Sequence, residues 1–396
     1  MRRHFYTFFP PGLTLSTVPA DIFPWFVLNV KQITKIDVRL ILLYLLSMSV
    51  GFLNGLRSID PNVFLMLLTF TYPLIVFAIF KTVGGKYFAR IHRILLIYFI
   101  VTLILGFVQT TGVFSSFKHW SLLFPRGSLG NFSEIGGRGV SLFSAEPSKA
   151  SLEVSFLYLF LMISGSKYTK IFLTVAYLIL ILFLLKTIIG LFLGILVMLI
   201  IFRKKFVFLL LFAMAAFSVI NVLGDVNFGP NRMLEIFSYT ENAKQLLNFI
   251  YEQSGHRAAS LHTTYLSFFF NPLGYGLGNW DIAQLRTVSE LNLSFADHAY
   301  YFYAYNGQYV PQKSEGFVPN FIAELGVLGI IFLLILALRY QKMSRFFSIA
   351  EKSLIYFCIL SLFFFAPVGH PYPFLFLGLI YGKYKYKTQT SAHNRF

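Results

Sequence analysis

Uninterrupted apolar blocks, most of them near the length of a bilayer crossing, recur along this 396-residue chain. They lie near 38–56, 62–80, 94–113, 149–164, 170–185, 187–202, 206–223, 318–338, 353–367 and 372–382. A helix crossing the hydrocarbon core needs about 20 predominantly apolar residues. Inside lipid every backbone N–H and C=O must be satisfied by the protein, so only helices and closed barrels span. These blocks are continuously apolar rather than alternating, which excludes a barrel. The expected fold is therefore all-α: a polytopic membrane bundle of about ten or eleven transmembrane helices forming one domain over residues 1–396. Composition agrees, since 12% of the residues are charged where a soluble domain carries about 25%.

The formal charge of +17 raises nucleic acid as a partner, and its distribution removes it. Most of the cations sit in short clusters between apolar blocks, which is how membrane proteins fix orientation. Lys31, Lys35 and Arg39 form one cluster; Lys81, Lys86, Arg90 and Arg93 form the next. Lys167 with Lys170, Arg203-Lys204-Lys205, the group Arg339, Lys342, Arg345 and Lys352, and finally Lys383, Lys385 and Lys387 follow. All fall on one side if every block is a crossing, and that side is expected to be the cytoplasm. Keeping Arg203-Lys204-Lys205 there requires a break at Lys186 and Gly190 within 170–202. The first thirty residues are broken by Pro10, Pro11, Pro19 and Pro24, and read as a kinked span or an interfacial hairpin. No cleavable signal peptide is expected there. The single cysteine, Cys358, lies in an apolar block and forms no intramolecular disulfide.

Two loops then face away from the cytoplasm, at about 114–148 and 224–317. The second far exceeds an ordinary connection of about 4–6 residues, and its many aromatic residues argue for a folded, partly helical cover. Each loop carries an arginine in a distinctive run. The first is Arg138-Gly139-Val140-Ser141-Leu142-Phe143-Ser144-Ala145-Glu146-Pro147-Ser148. Pro147 suits the first turn of the next helix, and Glu146 suits the positive end of its dipole. The second is Ser254-Gly255-His256-Arg257, then an amphipathic helix with Leu261, Tyr265 and Phe268 on one face. Asn271-Pro272-Leu273-Gly274-Tyr275-Gly276-Leu277-Gly278-Asn279 follows, expected as a flexible turn whose bare backbone approaches a ligand. Arginines at such positions suit a diphosphate, held by charge-assisted and bidentate bonds. The plainer alternative for Arg257 is pairing with lipid headgroups. The aromatic run His298–Tyr305 offers flat faces to sugar rings, or an interfacial belt of tyrosines, the commoner role. No Asp-x-Asp and no His/Cys cluster with metal spacing occurs, so neither a metal nor another cofactor is expected.

Taken in order, these runs resemble the O-antigen polymerase and O-antigen ligase superfamily. The Ser254–Arg257 and Asn271–Asn279 phrases look like its large-loop signature, and the Arg138–Ser148 run is similar to the earlier-loop motif of the polymerase branch. Asn320-Phe321-Ile322-Ala323-Glu324-Leu325-Gly326-Val327-Leu328-Gly329 resembles a third shared element. The resemblance implies a multi-pass protein of the bacterial inner membrane with its large loop in the periplasm. It implies a metal-independent glycosyltransferase that polymerises undecaprenyl-diphosphate-linked oligosaccharide repeat units into O-antigen or capsular polysaccharide. Membrane lipids and a chain-length regulator protein are the implied partners besides the substrate. Arg257 and Arg138 would hold the diphosphate and Glu146 would complete the catalytic set. His256, His262, Tyr265, Asn279, His298, Tyr300, Glu315 and Asn320 are candidate substrate contacts. Ligases carry a histidine shortly before the Glu-Leu-Gly element, and Lys313–Pro319 contains none, which favours polymerase over ligase. The rival of another class is a lipid-linked oligosaccharide flippase. It is disfavoured by the absence of a clear internal repeat or mid-membrane charge.

Overall fold

The structure is a computed structural model that describes residues 35–55, 62–110, 139–140, 142–144, 146–202, 254–344 and 346–393. The apolar block at 206–223, the first thirty residues, most of the 114–148 loop and the start of the larger loop lie outside the described residues. Among those described there is no strand. Eleven α-helices are described: α1 (Lys35–Gly55), α2 (Asn62–Thr110), α3 (Pro147–Leu161), α4 (Lys167–Leu178), α5 (Ile188–Phe202), α6 (His256–Phe270), α7 (Trp280–Glu290), α8 (Ala299–Tyr305), α9 (Phe317–Ser344), α10 (Ile349–Phe364) and α11 (Tyr372–His393). By length and composition alone, four stretches suffice to cross a membrane: Met66–Gly85, Tyr87–Thr110, Lys167–Leu185 and Phe317–Leu338, the last of them interrupted at Gly326. Every apolar block within the described residues is helical, as expected for a helical membrane protein.

Two boundaries differ from those the sequence suggests. The block at 62–80 and the described part of the block at 94–113, as far as Thr110, belong to one helix, α2, of 49 residues. A break was expected at the intervening cluster of Lys81, Lys86, Arg90 and Arg93. Lysine and arginine are good helix formers, so a basic cluster alone does not stop a helix. The second difference is at Gly326, where φ 60 and ψ −141 interrupt the helical backbone inside α9. Residues 317–325 fold back sharply on those after the corner: the Phe321 and Phe332 rings lie 5.8 Å apart. The break expected near Lys186 is present. A π-helical turn over Ile179–Leu185 ends at Lys186, which is left-handed at φ 45 and ψ 44.

The described helices form two compact units. The first holds α2 from Tyr87 onward, α3, α4, α5 and the start of α10. Ser166 caps α4 by accepting the Thr169 N–H at 3.2 Å. Tyr158 and Tyr177 stack at 4.4 Å between α3 and α4, and Phe156 meets Phe357 edge-on at 4.9 Å. The polar ends of both tyrosines are satisfied, at Thr174 and Ser155.

The second unit holds α1, α2 up to Lys86, α6 to α9, the rest of α10, and α11. Its α2 and α11 run in parallel register. A Cβ on Gly378 would strike the Phe77 carbonyl, one on Gly382 the Lys81 carbonyl, and one on Gly84 the Leu379 backbone. Gly378 and Gly382 are a small-xxx-small pair, the pattern that lets membrane helices meet backbone to backbone. This register sets Lys81, midway along α2, level with the basic stretch of α11 that begins at Lys383, with the Lys81 Nζ 4.9 Å from the Tyr381 ring. Phe346, just past α9, lies 5.2 Å from Tyr384, so the basic end of α9 joins the same level.

Candidate functional site

Arg257 stands in the first turn of α6. The residue before the helix, Gly255, has φ 56 and ψ −129, a conformation that suits glycine, and a Cβ there would press on the Tyr300 ring at 3.0 Å. Having no side chain, Gly255 offers no cap to the first-turn N–H groups, whose dipole favours an anion. The Arg257 Nε donates to Glu315 Oε1 at 3.1 Å, and the two side chains are 22% and 24% exposed. His256 Nδ1 lies 3.4 Å from the Tyr300 hydroxyl. Burial first, then Tyr305, raise the Tyr300 phenol above its ordinary value, while the positive field of Arg257 opposes them. Arg257, Glu315, Tyr300 and His256, four residues singled out in the sequence, thus share one partly open place. Lys313 is on the same approach to α9; its Nζ is 2.7 Å from Met66 Sδ. Burial lowers its ammonium pKa and Glu324 counteracts part of that.

A fully buried glutamine organises the floor. Gln284 of α7 donates through Nε2 to Thr264 Oγ1 and to the Gln312 carbonyl, both at 2.8 Å. Its Oε1 accepts the Tyr309 hydroxyl at 2.8 Å and the Gln312 N–H at 3.2 Å. Gln312 Nε2 in turn donates to the Tyr305 hydroxyl at 2.8 Å. Three stretches of the large loop are thereby tied together three residues before Glu315. Sequence reading passed over Gln284. Its signal was a polar residue beside Ala283 and on the face of Thr287, both buried.

The two remaining motifs of this unit explain one another. At the Gly326 corner the carbonyls of Ala323 and Glu324 lose their helical partners. They accept the N–H groups of Tyr275 and Gly276 at 2.9 and 3.0 Å, and the Val327 N–H donates to the Pro272 carbonyl at 2.8 Å. Gly278 N–H donates to Glu324 Oε2 at 3.0 Å, and Glu324 is completely buried. Gly274 and Gly326 have φ 87 and φ 60, and a Cβ on either would collide with the other's backbone. The glycine run was expected as a flexible turn open to a ligand. Its bare backbone instead approaches the Gly326 corner, and the turn is fixed.

The other candidates occupy varied positions. Asn279 Nδ2 bonds the Tyr275 carbonyl at 2.9 Å, closing the glycine turn. Asn320 is fully buried and donates to the Ser314 and Gly316 carbonyls at 2.8 and 2.6 Å, which holds the segment carrying Glu315. Tyr265 donates its hydroxyl to the Phe363 carbonyl at 2.7 Å. His262 faces outward on α6, with its pKa lowered by burial. His298 precedes α8, its ring 6.1 Å from Phe295.

In the first unit, Glu146 is the N-cap residue of α3, followed by Pro147; its Oε2 is 3.4 Å from the Ser148 hydroxyl. The run before it is anchored: Val140 N–H donates to the Leu184 carbonyl at 2.9 Å, and the Gln109 amide both donates to and accepts from the Leu142 backbone. Leu142 takes φ 55, a strained left-handed position that this pairing holds. Arg138 lies outside the described residues, and so does its expected meeting with Arg257. Glu153, buried one turn after Lys149, was not noticed in the sequence. Among the described residues no group of three or more His, Cys, Asp or Glu is placed to hold a metal ion. The chain matches no protein-family model, no curated protein and no solved structure.

Proposed function

We propose that this chain is a glycosyltransferase that polymerises undecaprenyl-diphosphate-linked oligosaccharide repeat units at the periplasmic face of a bacterial inner membrane. The observation that carries this reading is the Arg257–Glu315 pair at an uncapped helix start, held in place by sequence motifs that interlock. A diphosphate arriving there competes with Glu315 for the guanidinium and gains the helix N-terminus as a second positive partner. The transfer needs no metal in this scheme. The acceptor hydroxyl oxygen bonds to the donor's anomeric carbon, the bond from that carbon to the diphosphate oxygen breaks, and the diphosphate leaves with the electron pair. Arg257 stabilises the charge that develops on it. Glu315, released from Arg257, receives the acceptor proton. His256 and Tyr300 line the sugar side.

The test is reconstitution of the purified protein in proteoliposomes with labelled lipid-linked repeat units. Growth of the glycan on the lipid, lost in Arg257→Ala, is the expected result. Translocation with no new glycosidic bond would replace this reading with a flippase, and transfer only to a lipid A core acceptor would replace it with a ligase.

A further inference from the structure

An exposed apolar stripe runs along α9 beyond the Gly326 corner. Val327, Ile331, Leu334 and Leu338 recur at helical spacing on one face and are all exposed, Leu334 at 56%. They belong to a stretch apolar enough to cross a membrane, so hydrocarbon is their natural surrounding. The stripe does not stop at the corner. Val327 is bonded through its N–H to Pro272, whose next neighbour, Leu273, is 75% exposed. One turn back along the chain Phe269, the penultimate residue of α6, is 74% exposed. Large side chains this open, continuous with a membrane-spanning face, make a single apolar surface drawn from two segments.

The backbone behind this tip is closed within the protein. Irregular backbone survives at membrane depth only where the protein satisfies it. From Gly274 to Asn279 every N–H has a partner inside the protein: Asn271 O, Ala323 O, Glu324 O, Gly51 O, Glu324 Oε2 and Gly276 O in turn. The carbonyls of Asn271, Pro272, Gly274, Tyr275 and Gly276 each accept a hydrogen bond as well. Gly274, Gly276, Leu277 and Gly278 are buried, so their backbone groups need these protein partners. Leu277 also bonds to Gly51 of α1, a helix that exposes Leu42, Leu45, Leu46 and Leu53.

We infer that the α6–α7 tip is a membrane-inserted element, with bilayer acyl chains covering Phe269 and Leu273. The large loop is then not a purely aqueous cover: the far end of α6 is anchored in lipid while its first turn carries Arg257. This surface stands whether or not the catalytic reading holds.

Single cysteines at Phe269, Leu273, Leu334 and Gln308, in a Cys358→Ser background, carry a nitroxide label in proteoliposomes. Labels at 269 and 273 are expected to collide with oxygen, which partitions into lipid, as strongly as the label at 334. They should be shielded from a water-soluble nickel chelate that reaches 308. Chelate access at 273 equal to that at 308 overturns the inference. So does loss of access to both reagents with spin–spin broadening, which would mean that a second copy of the chain covers the patch. As a check independent of labelling, Leu273→Asp should lower thermal stability in the bilayer, whereas an unchanged midpoint contradicts burial in lipid.

Discussion

At the residue scale, Arg257 separates chemistry from packing. Its side chain is largely shielded, yet its ion pair with Glu315 remains open at one edge, and such a pair contributes no more than about 1 kcal/mol. Arg257→Ala and Glu315→Gln are therefore expected to leave protein levels and thermal midpoint nearly unchanged. The alanine variant should abolish polymer growth, whereas Glu315→Gln should keep binding of the lipid diphosphate and lose turnover. Arg257→Lys should retain partial activity, since a lysine keeps the charge but not the fork of donors. Full-length polymer from Arg257→Ala cells would remove the residue from the mechanism. Gly326 is the opposite kind of residue. An alanine there needs a left-handed backbone and places its Cβ against Pro272 and Gly274, so Gly326→Ala should destabilise by about 1–3 kcal/mol or more. Thermal unfolding in detergent is the measurement. A midpoint equal to wild type would show that the corner is not under this constraint.

At the level of elements, Gln284 ties the α6–α7 hairpin to the segment that follows it. Gln284→Ala removes a partner from the buried Thr264 hydroxyl and from the partly buried Tyr309 hydroxyl and Gln312 backbone, at about 1–3 kcal/mol for each group left unsatisfied; the Tyr309 hydroxyl keeps Thr263. The expected outcome is faster amide exchange across Tyr305–Gln312 and Trp280–Glu290, with α2 and α11 unaffected. Exchange unchanged in both segments would contradict it. How much of this was legible beforehand follows from the kinds of interaction involved. Helix positions were readable because a long apolar block in lipid has one backbone solution. The α6 helix and the turn after it were readable from periodicity and from Asn271-Pro272. The corner at Gly326 was not, because its cause is a segment about fifty residues earlier in the chain. A glycine inside an apolar run looks like any small residue until Pro272–Gly278 is seen packed on it. Likewise, the polar side chain of Asn320 reads as a ligand contact in sequence, and only the fold reveals the Ser314 and Gly316 carbonyls it serves.

For the molecule as a whole, the charge clusters and the helix packing make the same demand by independent routes. Charge counting places Lys81, Lys86, Arg339 and Lys383 on one side, and it needs every crossing to have been counted correctly. Packing needs no count: Phe77 on Gly378 and Lys81 on Gly382 put the basic middle of α2 level with the basic end of α11, and Phe346 on Tyr384 brings the end of α9 to them. The agreement matters most for α2, whose unbroken backbone through Lys86 removed the simplest basis for the count. Two consequences follow. Lys385→Cys should react with an impermeant maleimide only from the cytoplasmic side, and Gln308→Cys only from the opposite side. Labelling of both from one side would defeat the topology whatever the number of spans. In turn, Gly378→Leu and Gly382→Leu should force α11 off α2, since each leucine would meet backbone rather than a yielding side chain. Loss of folded protein is expected for both, and for Gly382 most, because its Cβ position lies closest to a carbonyl of the partner helix. Retention of a wild-type thermal midpoint in Gly382→Leu would mean that the parallel register of α2 and α11 is wrong, and with it the alignment of basic stretches that orients the second unit in the membrane.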